Sequence, residues 1–348
     1  MKTFTILAAT GCLLSGLLAA SAAPAVPPVR YGLVQKVSLP GDGGWDYMTL
    51  DPAARRLYIT HSTHVLVLNC DTLKKIGEIA GTNGVHGVAL APKLGRGYTS
   101  DGKSNSVTVF DLKTLKPLTQ IGVGERPDSI VYEPVTQRVF TLNGGGNSAT
   151  VIDAVSGKVV GTIALGGRPE AAVADGQGMI YDNIEDKNEI VAIDAKTLTI
   201  KARYTLALLE SPSGLAMDTE HRLLFAVCDG GKMAVVNADT GKVVAAPAIG
   251  NGPDAAAYDP GTGLVFSSNG EDSTLTVVNT ESDAPVQTVA TQAGARTLAL
   301  DPKTHRVFLV TATAAPAAPG TPPWRRSYLP GTFTLLVYGP QNAKQNAK

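Results

Sequence analysis

The feature that leaves this chain fewest options is internal repetition. Segments beginning at Asp46, His86, Asp128, Glu170, Ser213, Asp254 and Arg296 align with one another at successive steps of 40, 42, 42, 43, 41 and 42 residues. A unit of this length repeated seven times builds an array in which each copy buries its apolar face on the next, and the pattern inside the unit decides which array. Each copy opens with a strand of alternating small and large apolar residues, as in Ser129-Ile130-Val131-Tyr132 and Ala255-Ala256-Ala257-Tyr258. A turn on Asp-Pro or a close variant follows, as at Asp51-Pro52, Glu133-Pro134, Asp259-Pro260 and Asp301-Pro302. Next comes an aromatic-led strand, as in Tyr58-Ile59-Thr60, Tyr98-Thr99-Ser100, Phe140-Thr141-Leu142 and Phe308-Leu309-Val310. A Gly/Asn/Ser loop leads to a third strand ending in Asp or Asn, such as Ala149-Thr150-Val151-Ile152-Asp153, and a fourth strand such as Lys158 to Ile163 completes the unit. Four short β-rich strands per repeat, each bounded by turn residues, predict an all-β fold: a seven-bladed β-propeller with four-stranded antiparallel blades.

The seventh copy lacks a fourth strand, because Thr332 to Tyr338 is followed only by a polar tail over residues 340–348. The missing pattern stands at the other end of the chain, in Leu33-Val34-Gln35-Lys36-Val37-Ser38-Leu39. The N-terminal strand is therefore expected to complete blade seven, which closes the ring and removes an exposed sheet edge. Residues 31–339 then form a single propeller domain. Ahead of it, Met1-Lys2-Thr3, an apolar run from Phe4 to Ala20 and the small-x-small step Ala20-Ser21-Ala22 have the layout of a secretory signal peptide over residues 1–23. Ala9-Thr10-Gly11-Cys12 loosely matches a lipoprotein box, but the apolar run continues past Cys12, which favours a cleaved signal over a lipid anchor. The expected location is periplasmic or secreted. No later apolar run approaches the roughly 20 residues of a membrane-spanning helix.

Composition narrows the partners. Lys and Arg number 30 and so do Asp and Glu, so the chain lacks the basic excess that a phosphate backbone demands, and nucleic acid is not an expected partner. Beyond the signal two cysteines remain, Cys70 and Cys228, and the repeat places them about four blades apart, so free thiols are expected. The expectation is a monomer whose partner is an unidentified small molecule or protein.

The repeats carry a resemblance. The aromatic-x-Thr/Ser strand, the period of about 42 residues, and the Gly-x-x-Pro-Asp/Glu lead-ins at Gly124 to Asp128, Gly166 to Glu170 and Gly250 to Asp254 resemble the YVTN-family propellers of bacterial exported and surface-layer proteins. The similarity covers almost all of residues 31–339, and it departs from the pattern where Trp45, Val85 and Ala295 replace the Pro. These motifs are scaffold motifs. The family is similar to lactonase-like and cytochrome-d1-like propellers, so the resemblance implies fold and compartment more than an activity.

Chemistry is expected on one face. In a four-stranded blade the loops between strands two and three emerge beside the loops that lead into the next blade. That rim collects an inner set (Asp46, His86, Asp128, Glu170, Ser213, Asp254, Arg296) and an outer set (His61, Asp101, Asn143, Asn183, Cys228, Asn269, Thr311). Below it, first-strand positions such as Gly87, Ser129, Ala171, Gly214 and Ala255 offer nothing ionisable. His61, His64 and His86, beside Asp46 and Asp101, are candidate ligands for a possible divalent metal; the competing reading is that loops carry histidines by chance. No other cofactor is indicated. Asp46 and Glu170 are the candidate catalytic bases. Asp128, Asp254, Arg126, Arg168 and Arg296 are candidate binding residues, in which facing carboxylates either split their pKa values or pair with the arginines. His221 and His305 fall in turns on the opposite face and read as plain surface residues. The long irregular stretch from Thr313 to Thr332 contains Trp324, Arg325 and Tyr328, the residue types of an interaction hot spot, and reads as a lid or partner contact or as a tether. The leading function is a binding module at the rim of the central funnel. The alternatives are a metal-assisted hydrolase or lyase and a structural envelope or surface protein.

Overall fold

The computed structural model describes Met1 and residues 29–317 and 327–341, and in them seven four-stranded antiparallel sheets form a ring. Blades one to six span 45–80, 85–122, 127–164, 169–205, 210–245 and 253–290. Blade seven takes three strands from 298–341 and its fourth from Arg30–Ser38. The first strands of successive blades touch one another all the way round, from blade one through blade seven and back to blade one. The proposed signal peptide lies outside the described residues. Among the described residues no helix is long and apolar enough to cross a membrane.

Closure follows the expected scheme. Arg30–Ser38 runs antiparallel to Thr334–Gln341, with Leu33 opposite Tyr338 and Ser38 opposite Thr334, and Leu39 donates its N–H to the Phe333 carbonyl at 2.8 Å. The closing strand is also locked to blade six. Gln287 accepts from the Tyr31 N–H at 2.8 Å and donates to the Tyr31 carbonyl at 2.9 Å, while the Tyr31 ring meets Phe266 edge-on at 4.8 Å.

The repeated residues each have a mechanical reason. The aromatic that leads strand two (Tyr58, Tyr98, Phe140, Tyr181, Phe225, Phe266, Phe308) is at most 2 % exposed in every blade and fills the space between sheets, a burial worth roughly 1.5–3 kcal/mol apiece. The acidic residue of the first turn accepts backbone N–H groups two and three residues on: Asp51 from Ala53 and Ala54 at 3.0 and 2.9 Å, Asp218 from Glu220 and His221 at 3.0 Å. Asp or Asn at the end of strand three does the same, as when Asn279 accepts from Ser282 at 2.9 Å.

Neighbouring blades are clamped on the face that carries these first turns. Arg55 of blade one pairs with Asp301 of blade seven at 2.6 Å, and Arg222 of blade five with Asp175 of blade four at 2.9 Å. His305 of blade seven reaches Asp259 of blade six at 2.7 Å. His305 is therefore an inter-blade tie and not the plain surface residue its position suggests. Cys70 and Cys228 are free thiols, both buried, and burial raises the Cys228 thiol to about 12.

Candidate functional site

The inner set converges because the first strand of blades one to six is bulged where it begins, while Arg296 of blade seven precedes its strand. The pairing between strands one and two shifts register between Trp45 and Met48, Val85 and Val88, Pro127 and Ile130, Pro169 and Ala172, and Pro253 and Ala255. Asp46, His86, Asp128, Glu170 and Asp254 lie inside those shifts, and a bulge of this kind re-aims the side chain it carries. Side chains from strand two hold the bulged backbone. Thr60 accepts from the Asp46 N–H at 3.1 Å, Ser100 accepts from the Gly87 N–H at 2.9 Å and donates to the Asp128 carbonyl, and Ser268 donates to the Arg296 carbonyl.

Three successive blades meet at His86. Its Nδ1 lies 2.6 Å from Asp46 Oδ2 and 3.5 Å from Asp128 Oδ1. Burial works against the imidazolium, but the hydrogen bond to Asp46 and the charges of Asp128 and Asp46 outweigh it and raise His86 to about 9. Side-chain exposures of 35 % for His86, 24 % for Asp46 and 27 % for Asp128 leave the group partly hydrated, which keeps its interaction energies modest.

On the other side of the ring Arg296 Nε lies 2.9 Å from Asp254 Oδ2, and its Nη2 donates to the Trp45 carbonyl at 2.8 Å. The guanidinium stands over the Trp45 ring at 5.3 Å, and the Tyr328 ring packs on the same indole at 4.7 Å. Burial raises the Asp254 carboxyl to about 6, against the pull of Arg296 and with the charge of Asp46 adding to the rise. Burial also raises Asp128 and, with Asp128 and Asp254 as neighbours, lifts Glu170 well above the usual carboxylate range. Asp128, Glu170 and Asp254 are thus all reluctant to ionise, and carboxyls that keep their proton can serve as hydrogen-bond or proton donors.

Tyr47 was missed in the sequence. It stands in the column that holds Gly87, Ser129, Ala171, Gly214, Ala255 and Thr297 in the other blades, and it is the one large side chain there. From blade one it packs against the core cluster of blades four and five that includes Ala171 and Leu215, and its hydroxyl donates to Glu170 Oε1 at 3.3 Å. Small neighbours make room for a ring that crosses the axis. A single outsized residue in a small-residue column was the available signal.

Above this level opens a cavity of about 1100 Å³. Blades six, seven, one and two wall it, with Trp45, Asp46, His86, Lys103, Asp254, Glu271, Arg296 and Tyr328 among its lining residues.

The other candidates sit elsewhere. His61 is fully buried, its ring stacked on Phe333 at 4.3 Å and its edge against His64 at 5.1 Å, and neither ring nitrogen has a hydrogen-bond partner among the described residues. Asp101 is buried with its carboxylate accepting from Thr99 at 2.8 Å and Thr108 at 2.5 Å. Among the described residues the group whose donor atoms lie within 4.8 Å of one another is Asp46, His86 and Asp128; His61, His64 and Asp101 do not join it. The whole outer set, expected on the rim, is buried instead. Asn143 donates to Ser148 and Thr150 at 3.1 and 3.0 Å, and Asn269 likewise to Thr274 and Thr276 at 3.0 and 2.9 Å, so this position latches strand two to strand three. In blade four the equivalent residue is Ile184, and Asn183, one place earlier, bonds the Ser213 carbonyl at 2.8 Å. Arg168 pairs with Glu185 of its own blade, and Arg126 is exposed with no ion pair among the described residues. Trp324 and Arg325 lie outside the described residues. Tyr328 is held by backbone pairing of Ala315 with Ser327 and of Leu329 with Thr313, at 2.9 and 2.8 Å.

No family model matches the chain, and no curated protein matches it. Solved structures do. A chain of the Kuenenia stuttgartiensis hydrazine synthase is similar at a TM-score of 0.67 with 18 % identity, over 80 % of this chain and 96 % of that one. A chain of a mitotic checkpoint complex is similar at 0.74 with 14 % identity, over 95 % and 99 %, and U3-55K at 0.71 with 10 % identity, over 88 % and 98 %. Identities this low carry the fold alone. The chain is a seven-bladed β-propeller, and its function has to be argued from the residues at its axis.

Proposed function

We propose that this chain is an exported binding module of the YVTN-propeller type that recognises a small ligand in the axial funnel, through a mouth formed by blades six, seven, one and two. The observation that carries the reading is the cavity of about 1100 Å³, close to the size range of small-molecule sites and walled by rigid strand ends. Its lining includes the half-buried Tyr328 ring packed on the buried Trp45, and the polar groups of Asp46, His86, Asp254 and Arg296. Convergent polar groups beside aromatic surface are how small-ligand sites combine affinity with orientation. Export is supported by the N-terminal sequence pattern, and the YVTN assignment by the lead-in and strand motifs. Similar propellers occur in a hydrazine synthase and in a checkpoint complex, so the fold by itself favours neither catalysis nor assembly.

Gly44 provides the test. It lines the cavity, and a Cβ added there meets nothing within 4 Å, so Gly44→Trp is expected to fill the mouth without disturbing the fold. Ligand-observed NMR against a library of several hundred small metabolites should give hits for the wild type that disappear in Gly44→Trp. Hits that persist in the folded variant would place recognition elsewhere.

A further inference from the structure

We propose that Asp46, His86 and Asp128 together bind a divalent transition-metal ion at the base of the funnel, with its open coordination positions turned to the cavity. One imidazole nitrogen and two carboxylate oxygens come from the same position of three consecutive blades, and all three donor atoms lie within 4.8 Å of one another. The separations from His86 Nδ1, 2.6 Å to Asp46 and 3.5 Å to Asp128, bracket the roughly 3.4 Å expected between ligand atoms of a tetrahedral ion with bonds of about 2.1 Å. Small side-chain rotations bring all three to bonding distance. Mixed nitrogen and carboxylate donors suit ions such as Zn²⁺ and Mn²⁺.

Three further observations support the site. The ligands sit on bulged strand ends whose backbone is fixed by Thr60 and Ser100, so little order has to be gained on binding. The carboxyl groups of Asp128, Glu170 and Asp254 gather with Asp46 around His86 and Arg296, so oxygen donors for a cation are concentrated at the axis. Asp46 and His86 both line the cavity, which gives an ion held there direct access to solvent and to small molecules. The other histidine–aspartate pairs, His221 with Asp218 and His305 with Asp259, offer two donors each and have no third among the described residues.

The inference rests on the same funnel as the proposed function, and the two are separable: Gly44→Trp blocks the mouth but leaves the three ligands, so it should abolish small-molecule recognition and keep metal binding. The full chain, stripped with chelator, is titrated calorimetrically with ZnCl₂ and separately with MnCl₂. At least one ion should bind saturably at one site per chain. Asp128→Asn and His86→Gln should each weaken that binding by about tenfold or more, and His221→Ala should leave it unchanged. A readout free of any variant is NMR of the wild type: Mn²⁺ should broaden the His86 imidazole resonances at lower concentration than those of His221 and His305. Absence of saturable binding of both ions, unaltered affinity in a folded Asp128→Asn, or earlier broadening of His221 would overturn the proposal.

Discussion

The Tyr47 hydroxyl of blade one donates to Glu170 Oε1 of blade four at 3.3 Å, across the axis of the ring. The contact joins blades that share no edge, and it places a phenol beneath the carboxylates of the funnel. Burial, then Glu170, Asp128, Asp46 and Asp254, hold that phenol well above its usual pKa, so it stays a hydrogen-bond donor. Tyr47→Phe removes the hydrogen bond alone and should cost about 0.5–1.5 kcal/mol, whereas Tyr47→Ala also removes the packing on blades four and five and should cost about 3 kcal/mol. Denaturant unfolding measures both. Equal losses would mean that the ring contributes nothing beyond its hydroxyl.

His86 gives a prediction about charge. In the metal-free protein its imidazole should titrate near 9, against an ordinary value of 6.5, because Asp46 and Asp128 stabilise the cation. A pKa raised by folding contributes stability that is fully present below 6.5 and is lost as pH rises through about 9. Asp46→Asn removes the closest anion and should lower the His86 pKa by at least about one unit. Imidazole NMR over pH 5 to 10 decides it; a wild-type midpoint near 6.5 would show that the two aspartates do not hold the proton.

His61 has the opposite sign. Burial, with His64 as a neighbour, lowers it to about 4, and Gly41, at φ +99°, packs so closely on the ring that a Cβ there would come within 2.7 Å. A pKa depressed by folding contributes stability that is fully present above 6.5 and is lost as pH falls toward 4. Since His61 stacks on Phe333 beside the closing strand, the loss falls on the joint between blades seven and one. Between pH 7.5 and pH 4.5 the imidazole should account for about 2–3 kcal/mol of lost stability, which His61→Leu removes. Urea unfolding of both proteins at the two pH values gives the comparison, and an undiminished acid loss in His61→Leu would assign it to other groups.

The scaffold was legible because every requirement repeats. An aromatic between sheets, an acid capping a turn and an alternating strand each occur in blade after blade, so single exceptions do not obscure the period. The site was less legible because it is made of exceptions. Tyr47 is the one large residue in a column of small ones, and His86 is the one imidazole among the carboxylates of the inner set. The outer set failed for a geometric reason: His61 and His64 face each other across a two-residue turn, and Asn143 faces Ser148, so the last side chain of strand two turns into the blade and not onto the rim. The inner set is the contrary case. Its position in the repeat was readable, but its convergence depends on bulges that leave no mark in the sequence.

Asp182 shows what an exception costs. It occupies the strand-two column that holds Ile59, Ala226 and Leu309 in blades one, five and seven and the short hydroxyl residues Thr99, Thr141 and Ser267 in blades two, three and six, and it is fully buried with no hydrogen-bond partner among the described residues for either oxygen. Burial pushes its carboxyl well above the usual range, and the backbone of Glu170 offsets part of that rise without completing a hydrogen bond. A carboxyl whose pKa is raised by folding favours the folded state below its unfolded value of about 4 and works against it as pH rises. Asp182→Leu should therefore gain about 1–3 kcal/mol already at pH 4, the cost of an unsatisfied buried polar group, and more at pH 8, where ionising the carboxyl is penalised in addition. Unfolding midpoints of wild type and variant at the two pH values test this. A variant destabilised at both would show that the carboxyl has a partner after all, and that blade four keeps its acid for structure.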